Sequence, residues 1–169
     1  GNTGYIHPDY VEIVANTITT SSTAGTGTSS TGGGTAVVNV ENLDETRAAI
    51  LEYAASLLGV KYKYGGKTPS GFDCSGFTSY VFAHFDIKLS SSSSTQYSSN
   101  VKQISSSELQ PGDLLFWSNG KKGVVGHVGI YVGNNQFIHS PSPGGVVEYE
   151  SMDSSYYSAR FIGCGTGLG

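Results

Sequence analysis

The stretch Gly126-His127-Val128-Gly129-Ile130-Tyr131-Val132-Gly133-Asn134-Asn135-Gln136-Phe137-Ile138-His139-Ser140 decides how this chain folds. Val128, Ile130 and Val132 alternate with His127, Gly129 and Tyr131, the period-two mark of a strand with one buried face. Gly133-Asn134-Asn135 makes a turn and Gln136 to Ser140 returns, so the stretch predicts an antiparallel hairpin. Residues that pair across a tight hairpin have numbers with a nearly fixed sum. A pivot on Gly133 gives 266, which is 127 + 139, and sets His127 opposite His139. A turn centred on Asn134 or Asn135 shifts them by a residue or two, and a one-residue slip would flip one to the other face.

Outward from the hairpin, Asp113-Leu114-Leu115-Phe116-Trp117 is a short apolar run after the turn residues Pro111-Gly112, and two further strands are expected at 146–150 and 159–163. Helices precede the strands. Asn42 and Glu45 have the spacing of a capping box. Ile50, Tyr53, Ala54, Leu57 and Leu58 then line one helical face, and Gly59 stops it. Val60 to Gly66 is an extended aromatic piece ending in a Gly-Gly turn. A second helix carries Phe77, Tyr80, Val81, His84 and Phe85 on one face. The polar stretch from Ser90 to Ser99 has the composition of a solvated loop. Helices first and strands after predict an α+β domain whose sheet is mainly antiparallel, with five to six strands.

That domain spans residues 42–169. Between Thr17 and Thr35 the chain is almost entirely Thr, Ser, Gly and Ala, so residues 17–41 are expected to be a flexible linker. Residues 1–16 hold a patterned piece too short to fold alone, expected to be the truncated tail of a preceding module. The chain has 169 residues, a formal net charge of −4 and 13% charged residues, which leaves no basic footprint for nucleic acid. No apolar run approaches the roughly 20 residues of a membrane span, and no secretory leader pattern is visible. Two cysteines are too few for a disulfide scaffold.

One of those cysteines sits in Gly71-Phe72-Asp73-Cys74-Ser75-Gly76-Phe77, at the start of the second helix. The positive end of a helix favours thiolate over thiol, so Cys74 is a candidate nucleophile, against the alternative of a small core residue. The decision turns on a base. His7 lies in the tail. His84 is ten residues from Cys74, about 15 Å along a helix, and is expected to pack or to end the helix. His127 and His139 share the hairpin. Two adjacent imidazoles suit a metal or a catalytic pair, but no further ligands stand at zinc spacing, so neither metal nor cofactor is expected. One histidine as base for a thiol, oriented by the other, fits the nucleophile–base–orienter logic. Cys164, beside no motif, is expected to pack in the last strand.

Four ordered motifs, Gly71 to Phe77, Pro111 to Trp117, Gly126 to Gly133 and Phe137 to Ser140, resemble the NlpC-type cell-wall cysteine peptidases over roughly residues 44–163. The resemblance implies a papain-like α+β fold that cuts peptidoglycan stem peptides, typically between γ-D-glutamyl and the following diamino acid. It implies Cys74 as nucleophile, His127 as general base and His139 as its orienting residue. Tyr62 matches the tyrosine that, with the Cys74 amide, forms the oxyanion site. Asp73 and Ser75 match stem-peptide contacts. Leu89 to Tyr97 matches a Leu-Pro-Arg-Thr-Ser segment followed by Gln and Tyr, which makes the serine stretch a wall of the cleft and Ser93 and Gln96 binding residues. Ser90 stands in place of the proline and Ser91 in place of the arginine, which removes a bidentate carboxylate clamp. The resemblance further implies a secreted or wall-located monomer, tethered to another module, of bacterial, phage or mobile-element origin. The tail faintly resembles the end of a lysozyme-like module. The rival functions are an N-acetylmuramoyl-L-alanine amidase of related fold, a wall-binding module with a dead site and, last, a metal hydrolase.

Overall fold

The computed structural model describes residues 43–168, so the expected tail, linker and Asn42 cap lie outside the described residues. Among the described residues four α-helices, α1 (Leu43–Ala55), α2 (Cys74–Ala83), α3 (Ser93–Thr95) and α4 (Ser155–Arg160), accompany eight strands. The strands β1 (Lys67–Thr68) and β2 (Gly71–Phe72) form a small ribbon of their own. The main sheet contains β3 (Lys102–Ile104), β4 (Leu114–Ser118), β5 (Val125–Gly133), β6 (Gln136–His139), β7 (Glu148–Ser151) and β8 (Phe161–Thr166). Its order is β3-β8-β4-β5-β6-β7, and every neighbouring pair is antiparallel. The fold is α+β with a six-stranded sheet, as the order of helices and strands predicts. Among the described residues no helix is long and apolar enough to cross a membrane.

Both faces of this sheet are covered. Leu114 and Phe116 of β4 join Val128, Ile130 and Ile138 in a large core against Ile50 and Leu51 of α1 and Phe77, Val81 and Phe82 of α2. Leu115 and Trp117 point to the other face and make a smaller core with Phe137 and Cys164. A strand buried on both sides reads as an unbroken apolar run, which is why residues 113–117 show no alternation. Cys164 packs in β8, as expected, and both cysteines are free. The end of the chain departs from expectation by two residues or so. β7 starts at Glu148 rather than 146, and Ala159 and Arg160 complete α4, so β8 begins only at Phe161. Ser154 caps that helix by accepting from the Tyr157 amide, a signal masked by the surrounding serines.

Among the described residues one ion pair joins the helical layer to the sheet. Arg47 of α1 donates from Nη1 to Asp113 Oδ1 at 2.8 Å and to the Pro111 carbonyl at 2.9 Å, and Asp113 Oδ2 accepts from the Gln110 amide at 2.9 Å. The turn that launches β4 is thereby fixed to α1. Asp113 is buried, so Asp113→Ala strands a guanidinium and is expected to cost about 3–5 kcal/mol, measured as a lower urea midpoint at unchanged m-value. The double replacement Arg47→Met with Asp113→Leu should cost markedly less.

Candidate functional site

The hairpin of β5 and β6 pairs Ile130 with Ile138 and Tyr131 with Phe137, a sum of 268 rather than 266. Asn134 and Asn135 form the turn, at φ +52° and +64°, the two positive values of a type I′ turn, between the paired Gly133 and Gln136, and a register shift between Tyr131 and Gly133 takes the sum from 269 to 268. His139 therefore lies opposite residue 129 (268 − 139), and His127 is one step further out on the same face. An even shift preserves the face. Gly129 then lets the diagonal pair meet: a β-carbon there would stand 3.2 Å from His139 Cβ and 2.9 Å from Phe137 Cδ2. Across that gap His127 Nε2 is 2.7 Å from His139 Nδ1.

Cys74 reaches this pair from the other layer. Asp73 caps α2, its Oδ1 accepting from the Gly76 amide at 2.7 Å. Its Oδ2 accepts from the Gly65 amide at 3.1 Å, and its own amide donates to the Gly66 carbonyl at 3.0 Å. The Gly-Gly turn is thus latched onto the helix start. The fit leaves no room for side chains, since a β-carbon on Gly76 would fall 1.9 Å from the Gly66 carbonyl oxygen. The Cys74 sulfur lies 4.0 Å from the Gly126 carbonyl and accepts from the Val128 amide, so it touches the residues on either side of His127.

Burial is the largest influence on the half-buried thiol and raises it; hydrogen bonds from backbone amides, Val128 first, offset this only in part, and the Asp73 carboxylate adds to it. Cys74 is pushed up to about 11. The helix start therefore does not make a thiolate at rest, contrary to the sequence expectation: desolvation outweighs the helix end. Burial pulls His127 down to about 4 and His139, wholly buried and beside His127, well below the ordinary histidine value. At rest the three groups are a thiol and two neutral imidazoles.

Tyr62 is half-buried next to this group, and its phenol is raised by burial first, then by Cys74 and Asp73. Ser75 is buried and donates to the Ser91 carbonyl at 2.7 Å, which ties the serine loop to α2. Ser93, half-buried, opens α3, which packs against β5. Gln96 is wholly buried. It accepts from Thr78 at 3.0 Å and donates to the carbonyls of Ser90 at 2.6 Å and Ser75 at 3.3 Å, so it braces the loop from behind instead of lining the cleft. Here the expected solvated loop is short helix followed by a π-turn, Gln96–Asn100, a feature that composition does not signal. His84 ends α2 and stacks on Tyr53, ring centroids 3.9 Å apart, away from the thiol as expected. Among the described residues no three His, Cys, Asp or Glu side chains are grouped to hold a metal ion.

Comparison with known proteins places these features in a lineage. The model of the NlpC/P60 family matches residues 59–166, which include every site residue named above. The chain is 46% identical over 116 residues to a protein of Listeria seeligeri named as a probable endopeptidase p60, covering 69% of this chain and 21% of that one. It is 39% identical over 127 residues to a γ-DL-glutamyl hydrolase of Bacillus subtilis, covering 73% and 30%. Among solved structures, the NlpC/p60 domain of the peptidoglycan hydrolase SagA superposes with a TM-score of 0.62 at 38% identity, covering 71% of this chain and 97% of that domain. The chain thus spans a fifth to a third of the length of the two curated relatives.

The two buried imidazoles also make stability depend on pH. Both stay neutral in the folded chain below the value at which they protonate when unfolded, so the unfolded state binds more protons there. Their contribution is fully present above pH 6.5 or so and is lost as pH falls from there toward 4. The melting temperature should drop between pH 7 and pH 5.5, and His139→Asn should flatten that drop; an equal slope in both proteins would contradict the assignment.

Proposed function

The chain belongs to the NlpC/P60 family, and on that premise we propose that it is a peptidoglycan hydrolase, a cysteine endopeptidase that cuts the stem peptide through a thioester. The bond proposed is that between γ-D-glutamyl and the diamino acid; a relative named as a γ-DL-glutamyl hydrolase supports this choice. The observation that carries the reading is the 2.7 Å contact of His127 Nε2 with His139 Nδ1, on a strand whose backbone beside His127 lies against the Cys74 sulfur. Sγ is hydrogen-bonded at the residue after His127, and the far nitrogen of His127 is engaged by His139.

With Nε2 of His127 committed to His139, its Nδ1 is the nitrogen left to serve the thiol. During attack, Nδ1 takes the Cys74 proton while the sulfur bonds to the amide carbonyl carbon. The oxyanion is stabilised by the Cys74 amide and the Tyr62 phenol, which its raised titration keeps protonated. The C–N bond then breaks and His127 returns its proton to the leaving amine. Water, deprotonated by the same nitrogen, releases the product and restores the thiol. As His127 becomes cationic, its Nε2–H donates to His139 Nδ1. That requires His139 to remain neutral with its own proton on Nε2, and its burial keeps it so. Asp73 and Ser75 hold the Tyr62 side and the serine side of the cleft, and substrate lies between these walls, against Ser93.

Purified peptidoglycan treated with the chain should release fragments whose mass leaves a dipeptide on the sugar; a bare lactyl group would instead support the amidase. Cys74→Ala and His127→Ala should each lose at least about 10⁴-fold in rate, and His139→Ala about 10²-fold. Undiminished release by Cys74→Ala would sink the proposal. Binding to peptidoglycan with no release of fragments would favour a binding module, and loss of activity in strong chelator would favour a metal hydrolase.

The rate should also report the buried base. Because His127 acts as its neutral form, kcat/KM should hold steady through the ordinary histidine range and fall only toward pH 4. An acid limb centred at or above pH 6.5 would contradict a desolvated base.

A further inference from the structure

The face of the sheet that carries the histidines is covered at one spot by a residue that no sequence motif singles out. Tyr157 of α4 has its ring 5.8 Å from that of His127, inclined by 32°, and 5.3 Å from that of His139, inclined by 81°. Trp117 and Phe137 lie 5.3 Å and 5.2 Å from it. Trp117 meets His127 at 5.5 Å, and Phe137 meets His139 at 4.6 Å. The two imidazoles thus sit among three aromatic rings, and Tyr157 is the one that touches both. The other two come from the strands that define the sheet. Tyr157 comes instead from a six-residue helix inserted between β7 and β8, anchored by the Ser154 cap.

We infer that Tyr157 is a positioning residue for the His127–His139 pair: its ring walls both imidazoles from water and fixes the angle at which His127 meets the thiol. The inference rests on the cysteine-peptidase reading above and extends it to a residue outside the motifs. An edge-to-face contact resists rotation of the buried ring, and a tilted contact covers the face of the other. Removing the wall admits water to His127, which favours its cation. The ionisable groups around His127 are Cys74 from α2, His139 from β6 and the Tyr157 phenol; Glu148 and Glu150 on β7, with Tyr156, act on that phenol, which burial chiefly raises to about 12. Burial alone holds His127 low, so its wall is the lever.

The test uses the whole chain with Tyr157→Phe, Tyr157→Ala and, as an exposed neighbour on the same helix, Ser158→Ala. Two readouts are taken: the NMR titration of the His127 ring and the pH profile of stem-peptide release. Tyr157→Ala should raise the His127 midpoint and the acid limb together by about one pH unit. Its kcat should fall about tenfold at little-changed KM. Tyr157→Phe and Ser158→Ala should match the wild type. A His127 titration that Tyr157→Ala leaves in place would overturn the inference, as would a Tyr157→Phe shift equal to that of Tyr157→Ala, which would assign the effect to the hydroxyl. Should Tyr157→Ala fail to fold, Tyr157→Gln, of similar reach but without a ring, is judged by the same readouts. A wild-type chain that releases no stem-peptide fragments would sink the peptidase reading, while the titration would still decide the role of Tyr157.

Discussion

The site exists because β5 is longer than its partner. β6 ends at His139, opposite Gly129, while β5 continues outward through Val128, His127 and Gly126. Beyond that point, among the described residues, one edge of β5 has no strand beside it, and its backbone groups need partners. The Cys74 sulfur takes the Val128 amide there. A helix start is thereby docked into the notch of a sheet, and the thiol meets the backbone of the strand that carries His127 although the two come from opposite layers. Ser140, just past the end of β6, donates to the Phe72 carbonyl at 2.8 Å and holds the notch open by turning the chain toward the β1–β2 ribbon. If β6 were two residues longer, its own carbonyl would take the place of the sulfur.

Docking in a notch imposes a chemical consequence. A thiol packed against backbone and aromatic rings loses hydration, and the amides at the helix start return only part of it. The same packing holds the two imidazoles neutral. The resting state is therefore uncharged, and in the proposed reaction charge would separate only as the carbonyl carbon is attacked. Three rings of the smaller core enclose that separation, and the Tyr62 phenol faces it from the helix side. A fixed dipolar surround of this kind needs little reorganisation when charge appears, which is where catalytic electrostatics gain most.

The parts of the site legible in the sequence are those that obey a period or a local rule. Alternation along residues 127–132 and the asparagine turn predict the hairpin, and because an error of two in register conserves parity, the pairing of His127 with His139 survives it. Asp73 is visible as a residue beside the candidate nucleophile, but not as a double latch, because the Gly65 amide and the Gly76 amide meet only in three dimensions. The glycines behave alike. Gly66 and Gly76 read as turn and helix residues, whereas their absent side chains matter through each other. Gln96 illustrates the opposite error: a polar residue in a polar stretch reads as facing the cleft, yet its amide satisfies three buried groups. Tyr157 was out of reach altogether, since six residues rich in serine carry neither a strand period nor a helical face.

The serine loop shows how a departure from the family pattern is absorbed. With Ser91 in the arginine's place the loop loses a side chain that could clamp a carboxylate. Its attachment to α2 does not suffer, because Ser75 holds the backbone carbonyl of Ser91, which any residue would offer. Gln96 grips the carbonyl of Ser90 from behind, and Asn100 accepts the Ser90 amide at 2.7 Å. The position of the wall is thus set by main-chain bonds to three neighbouring side chains, while what the wall presents to the cleft is set by residues 91–95. Position and recognition are separable along this loop. In the proposed site the loop could therefore exchange a cation for hydroxyl groups, and so alter what it prefers to bind, without moving Ser75, the helix start or the thiol next to it.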